Sequence, residues 1–252
     1  MSRVTFSNTR AKTLVGTLYS ASSKSIIIMA HGFTSDRLSK GRFPRLAEAF
    51  NRSGFDALAF DFSGCGESDD DSLTTKKWVD DLRAAIRFAQ SLGYQQIGLY
   101  GHSLGSLICL TCYSPEIATI VVSGALTAAM YYKWEEQFNQ EQLRELQETG
   151  MITVIRTEGM RRQIKIDQQM LLDFELVNQK ELLQRVTCPV LIIHGNNDEE
   201  ERLLCERSNR GMRFLSSESQ LVVIDGANHS FLDQFGQVIE LVNSWFVTYL
   251  PQ

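Results

Sequence analysis

The chain has 252 residues, 43% of them hydrophobic and 22% charged, enough for one domain that buries roughly 70 to 75% of its unfolded surface without a second domain. Twenty-five Lys and Arg against 30 Asp and Glu leave a net charge of −5, a mildly acidic balance that speaks against a nucleic-acid surface. Arg3, Asn8, Arg10 and Lys12 interrupt the N-terminal stretch, and nowhere do about 18 uninterrupted apolar residues follow one another. The expectation is therefore a soluble cytoplasmic protein without stable membrane association. Five cysteines, an odd number, read as reduced core thiols; Cys109-x-x-Cys112 has no second pair to complete a metal site.

Apolar runs of strand length alternate with amphipathic runs of helix length, the pattern of a parallel sheet covered on both faces. An opening hairpin is predicted from strands at 4–7 and 14–19, joined across 8–12. Strands follow near 26–30, 57–60, 97–100, 117–123, 190–193 and 221–224. Helices are predicted at 43–53, 74–92, 103–113, 202–212 and 235–249, the first two ending before Gly54 and Gly93. No internal repeat or low-complexity linker interrupts the pattern. More than 60 residues separate the strand near 123 from the strand near 190, too many for a simple crossover. Within them a helix is predicted at 128–148, a hairpin from 151–156 and 160–166 around Thr157-Glu158-Gly159, and a further helix at 170–177.

Gly101-His102-Ser103-Leu104-Gly105 lies between a predicted strand and a predicted helix. A turn that tight strains the serine backbone and leaves room only for glycine on either side, which is the nucleophile-elbow arrangement. It lifts the Ser103 hydroxyl clear of the sheet edge, so Ser103 is the expected nucleophile. A serine needs a base, and the base an orienting acid. Of the four histidines, His102 lies inside the elbow, and His31 and His194 each precede a glycine at a strand end. His229, in a loop after the run 221–224, remains as the base. For the acid, the turn His194-Gly195-Asn196-Asn197-Asp198 places Asp198 just beyond a buried-looking strand. Glu199, Glu200 and Glu201 are rivals that suit the negative first turn of the next helix, and Asp225 is a second rival four residues before His229.

Past the strand near 26–30 the chain reads His31-Gly32-Phe33-Thr34, where the Phe33 amide, with that of Leu104, is expected to form an oxyanion hole. Taken with Asp61-Phe62-Ser63-Gly64-Cys65-Gly66-Glu67-Ser68 and the His229 loop, these motifs stand in the order of the α/β-hydrolases. The chain resembles their serine esterase and aminopeptidase-like branch, in the style of bacterial cinnamoyl or feruloyl esterases and monoacylglycerol lipases. Two departures are Ser106, where a glycine often follows the elbow, and the charged run 199–202, where apolar and proline residues are usual.

The resemblance implies an α/β-hydrolase fold: a mostly parallel eight-stranded sheet with helices on both faces, in one domain spanning 1–252 with a small lid inserted at about 127–185. It also implies a structural rather than catalytic Asp61. The expected activity is hydrolysis of a small-molecule carboxylic ester with a short-chain or aromatic acyl group, through Ser103, Asp198 and His229, with no metal or organic cofactor. Peptidase or thioesterase activity would use the same residues, and a ligand receptor of this fold could retain them. Met130, Tyr131, Tyr132 and Trp134 are the candidate pocket residues, against the plainer reading that the apolar side chains of the insertion are its own core. The sequence sets no oligomeric state.

Overall fold

A computed structural model describes all 252 residues. In chain order the elements are β1 (Ser2–Ser7), β2 (Thr13–Tyr19), β3 (Ser25–Ala30), α1 (Arg42–Arg52), β4 (Asp56–Phe60), β5 (Ser72–Leu73), α2 (Thr75–Ser91), β6 (Gln96–His102), α3 (Leu104–Thr111) and β7 (Ile117–Ser123). Then come α4 (Trp134–Gln137), α5 (Gln140–Thr149), β8 (Met151–Ile155), β9 (Gln163–Asp167), α6 (Gln168–Glu175), α7 (Gln179–Leu183), β10 (Val190–Gly195), α8 (Glu199–Gly211), β11 (Gln220–Ile224) and α9 (Phe235–Tyr249).

Eight strands form one sheet in the order β1-β2-β4-β3-β6-β7-β10-β11. Only β2 runs against its neighbours; the other pairings, from β4 to β11, are parallel. The central strands are buried on both faces, which is why they read as unbroken apolar runs. Alternation along a strand then splits them between two cores. Ile26, Ile28 and Ala30 of β3 pack with Trp78 and Leu82 of α2 and Leu107 of α3, whereas Ile27 and Met29 pack with Phe43 of α1 and Phe246 of α9.

The interval between β7 and β10 departs from the single predicted helix at 128–148. Residues 124–133 carry no regular structure, and α4 and α5 are separated at Asn139. There the Asn139 side chain accepts from Gln142 N–H while the Gln142 side chain takes the Asn139 N–H, a capping box that starts a new helix. The hairpin β8–β9 forms around the predicted turn, with Ile152 opposite Ile166. Its second strand β9 also pairs with β5, a two-residue strand absent from the sequence prediction, and so lies at the centre of a small three-stranded sheet. Ile152, Ile164, Ile166, Met170 and Phe174 belong to the same core as α2 and α3. This burial fastens the insertion to the rest of the molecule.

Candidate active site

Ser103 sits between β6 and α3 with φ 54° and ψ −125°, a backbone conformation costly for any residue with a side chain and typical of functional turns. The flanking glycines are needed for space: a Cβ on Gly101 would lie 2.5 Å from Gly105 O, and one on Gly105 would lie 2.1 Å from Ala30 O. Ser103 N–H donates to Ser123 O at 2.9 Å. Ser106 adds a second tie: its Oγ donates to Ser103 O at 2.5 Å and accepts from Leu126 N–H at 2.7 Å.

The loop after β3 approaches from the other side, where a Cβ on Gly32 would lie 3.1 Å from Ser103 Cβ. It brings Phe33 beside Ser103. As the first residue of α3, Leu104 has no intrahelical acceptor for its N–H. Asp61 is occupied elsewhere: it accepts from the N–H groups of Arg37 and Glu67, at 2.6 and 2.9 Å, and pairs with the Arg37 guanidinium.

His229 Nε2 lies 2.9 Å from Ser103 Oγ, and its Nδ1 lies 2.5 Å from Glu201 Oε1. The carboxylate expected at Nδ1 was that of Asp198; the structure puts Asp198 one helical turn earlier. One Asp198 oxygen caps α8 by accepting from Glu201 N–H at 2.7 Å, and the other accepts from His229 N–H at 2.8 Å. Because α8 begins at Glu199 rather than near 202, Glu201 is its third residue, and its side chain points back along the helix toward the end of β10. There Oε2 accepts from Gly195 N–H and meets His194 Nδ1, both at 2.9 Å.

None of the other three named rivals, Glu199, Glu200 and Asp225, reaches the imidazole through a hydrogen bond. Asp225 accepts from Asn196 Nδ2, and Glu200 accepts from the Tyr132 hydroxyl.

Burial pushes the Glu201 carboxyl up, but hydrogen bonds and charge from His194 and His229 outweigh it and hold it down at about 2. Burial lowers His229, and the Glu201 hydrogen bond and charge overcome that, leaving the imidazole above its ordinary 6.5. The second ring nitrogen of His194 meets Ser208 Oγ at 2.9 Å. His194, read from sequence as a turn residue, thus helps to hold the carboxylate. His102 spends both nitrogens away from the nucleophile, on Ser123 Oγ and Arg42 Nη1. Burial, then the charges of Arg42 and His229, push it well below its ordinary value.

Two cavities meet at Ser103. One, of about 300 Å³, is walled by Phe33, Tyr132, Trp134, Phe138, Ile166 and Phe174; Phe138 stacks on Trp134, and the other aromatic rings pack edge-on or tilted at centroid distances of 4.9 to 6.5 Å. The other, of about 440 Å³, is polar and includes Lys40, Arg42, Arg156, His229 and Ser230. Of the four candidate pocket residues, Tyr132 and Trp134 line the first cavity. Met130 does not: it is buried in the core, with its N–H on Phe174 O. Tyr131 projects into solvent, 71% exposed.

The profile of the alpha/beta hydrolase fold family matches residues 25–151. Among solved structures, the chain is similar to Est1E from Butyrivibrio proteoclasticus with ferulic acid bound (20% identity, TM-score 0.77, 98% of each chain). It is also similar to the esterase domain of a Rhodothermus marinus protein (24%, TM-score 0.71, 98% of each) and to the Paleococcus ferrophilus monoacylglycerol lipase (18%, TM-score 0.73, 93% of this chain and 98% of that one). An uncharacterized 31.7 kDa protein from the traX-finO intergenic region of Escherichia coli is 36% identical over 85 residues, 32% of this chain and 29% of that relative's length. Family match and sheet order agree, and the chain belongs to the α/β-hydrolase fold family.

Proposed function

We propose that the protein is a serine hydrolase cleaving small carboxylic esters with short or aromatic acyl groups. One observation carries this reading: the unbroken hydrogen-bonded line from Ser103 Oγ through both nitrogens of His229 to the buried Glu201 carboxylate. Glu201 takes the role the sequence assigned to Asp198. It fixes the tautomer in which Nδ1 carries the proton and Nε2 is free to accept, and it stabilises the imidazolium that forms. Asp198 is a positioning residue that holds the His229 backbone and the start of α8.

In the first step Ser103 Oγ forms a bond to the ester carbonyl carbon as its proton passes to His229 Nε2. The amides of Phe33 and Leu104 stabilise the tetrahedral oxyanion. The bond from carbon to the alcohol oxygen then breaks, and that oxygen takes the proton from Nε2. Water repeats the sequence on the acyl-enzyme, releasing the acid and restoring Ser103. This route requires no cofactor. The insertion at about 127–185 serves as the lid that walls the acyl side and excludes water. Unpaired, buried Cys65, Cys109, Cys112 and Cys188 suit a reducing compartment, and the reading places the enzyme in the cytoplasm. No helix is long and apolar enough to cross a membrane.

The test is turnover of p-nitrophenyl acetate and p-nitrophenyl 3-phenylpropanoate, together with labelling by a fluorophosphonate. Both are expected for the native chain and absent in Ser103→Ala, which keeps the glycines that shape the elbow. Labelling of the alanine variant at the native level would overturn the assignment.

A further inference from the structure

We propose that the preferred substrate carries an anionic group, a carboxylate or a phosphate monoester, on its alcohol portion, recognised by Lys40, Arg42 and Arg156. The inference rests on the esterase reading above and extends it to the leaving group.

The two cavities at Ser103 are not equivalent. The departing alcohol oxygen must receive its proton from His229 Nε2, so it has to lie on the His229 side of the carbonyl carbon. His229 borders the polar cavity and not the aromatic one. The alcohol portion therefore occupies the polar cavity, and the acyl group lies among Phe33, Trp134 and Phe174.

Three cations face that polar cavity and a single carboxylate, the exposed Glu158, accompanies them. This occurs in a chain whose net charge is −5. Arg10, Arg37 and Arg161 are ion-paired, whereas Lys40, Arg42 and Arg156 form no ion pair. Arg42 is buried and fixed in place: Nε donates to Ser39 O at 2.9 Å, Nη2 to Ser39 Oγ at 3.0 Å, and Nη1 to Ser230 O and His102 Nε2 at 2.7 and 2.8 Å. All of these partners are neutral, so its charge is left for the cavity.

Arg156 follows β8 at the start of the hairpin turn, and its Nη1 is buried with no hydrogen-bond partner. A charged donor withdrawn from water without an acceptor is costly. The rest of its guanidinium borders the cavity, close to the Asp36 carboxylate, and an anion in the cavity offsets part of that cost by charge. Lys40, exposed at the mouth, adds a mobile charge that draws anions toward it.

Four esters of 3-phenylpropanoic acid test the proposal, each with a four-carbon primary alcohol ending in a carboxylate, a phosphate monoester, a carboxamide or a trimethylammonium group. The reacting centre is the same, so kcat/KM differences report the distal group. At low ionic strength at least one anionic ester should exceed the carboxamide by about fivefold or more, the scale of one partly exposed charge pair. The cationic ester should fall below the carboxamide, and the spread should narrow on adding salt.

Comparing the carboxylate with the phosphate arm identifies the anion. Arg156→Gln should lower the anionic-to-carboxamide ratio, and Lys40→Gln, at an exposed site, should lower it independently of any folding defect. Equal rates for all four esters, or preference for the cation, would overturn this inference and leave the esterase reading standing. No turnover of any of them would overturn both.

Discussion

His229 Nδ1 lies 2.5 Å from Glu201 Oε1, while the other oxygen of the same buried carboxylate meets His194 Nδ1 and Gly195 N–H. Three partners on one carboxylate give it a structural part beside the catalytic one proposed for it. Glu201→Gln should lower kcat by on the order of 10⁴, the scale for an orienting carboxylate replaced by its amide, and should also lower the melting temperature. Asp198→Ala should cost about 1 kcal/mol as a lost helix cap with a much smaller fall in kcat. Steady-state kinetics and thermal unfolding of the two variants check this, and a crippled Asp198 variant beside an active Glu201 variant would reverse the roles.

The pH dependence follows from the same contact. His229 must be neutral at Nε2 to accept the Ser103 proton, and Glu201 holds its pKa above 6.5. The value of kcat/KM should therefore rise with pH through a step above the ordinary histidine value, not at it. Removing the charge in Glu201→Gln should move any residual step to lower pH. The stability contributions run oppositely. That of the raised His229 is complete below about 6.5 and lost as pH rises through its folded value, whereas that of Glu201 is present above 4.5 and lost as pH falls toward about 2. A profile for the native chain centred below 6.5 would contradict the assignment.

The parallel strands and the elbow were legible because their signals are local. β3 reads as an apolar run bounded by polar residues, and Gly101 and Gly105 are spaced for the turn that Ser103 makes. The acid was not legible in the same way. Asp198 and Glu201 stand three apart at a helix start, so one becomes the cap and the other the third residue, and a predicted start near 202 in place of the observed 199 hides which is which. The charged run at 199–202, noted as a departure from the family's pattern, was the available signal. The two-residue strand β5 left no periodicity to detect, and the break at Asn139 was hidden by helix-forming residues on both sides.

Gly124 gives a prediction independent of the titrating groups. It follows β7 with φ 55°, and a Cβ there would lie 2.9 Å from His229 Cε1, 3.0 Å from Nδ1 and 3.1 Å from Glu201 Oε1. Its absent side chain is the space in which the imidazole meets the carboxylate. Gly124→Ala should displace the ring and lower kcat by at least about 10²-fold, the scale of an ångström-sized misplacement. The cost in stability should be far smaller than a collapse of the fold, readable by circular dichroism. Native kcat in the alanine variant would show that the ring position is not critical.

The last prediction concerns acyl selectivity. Replacing the insertion by a linker is a poor test of this, because β9 pairs with β5, and Ile152, Ile164, Ile166 and Phe174 lie in the main core. Such a deletion would uncover apolar surface on α2 and α3, so point variants of the aromatic wall are the better probes. Trp134 and Phe174 face the Ser103 cavity of about 300 Å³, a compact space suited to a single aromatic or short acyl chain. Trp134→Ala should lower kcat/KM for p-nitrophenyl 3-phenylpropanoate about tenfold or more, as loss of a large buried contact surface requires. The acetate ester, too short to reach that wall, should change little. The native enzyme should prefer both soluble esters to emulsified triolein, with no rise in rate at the droplet interface, because α5, packed on β8 of the insertion, carries charges such as Glu141, Arg144, Glu145 and Glu148 rather than a broad apolar face. Equal losses for both p-nitrophenyl esters, or activation by triolein droplets, would place acyl recognition somewhere other than this aromatic wall.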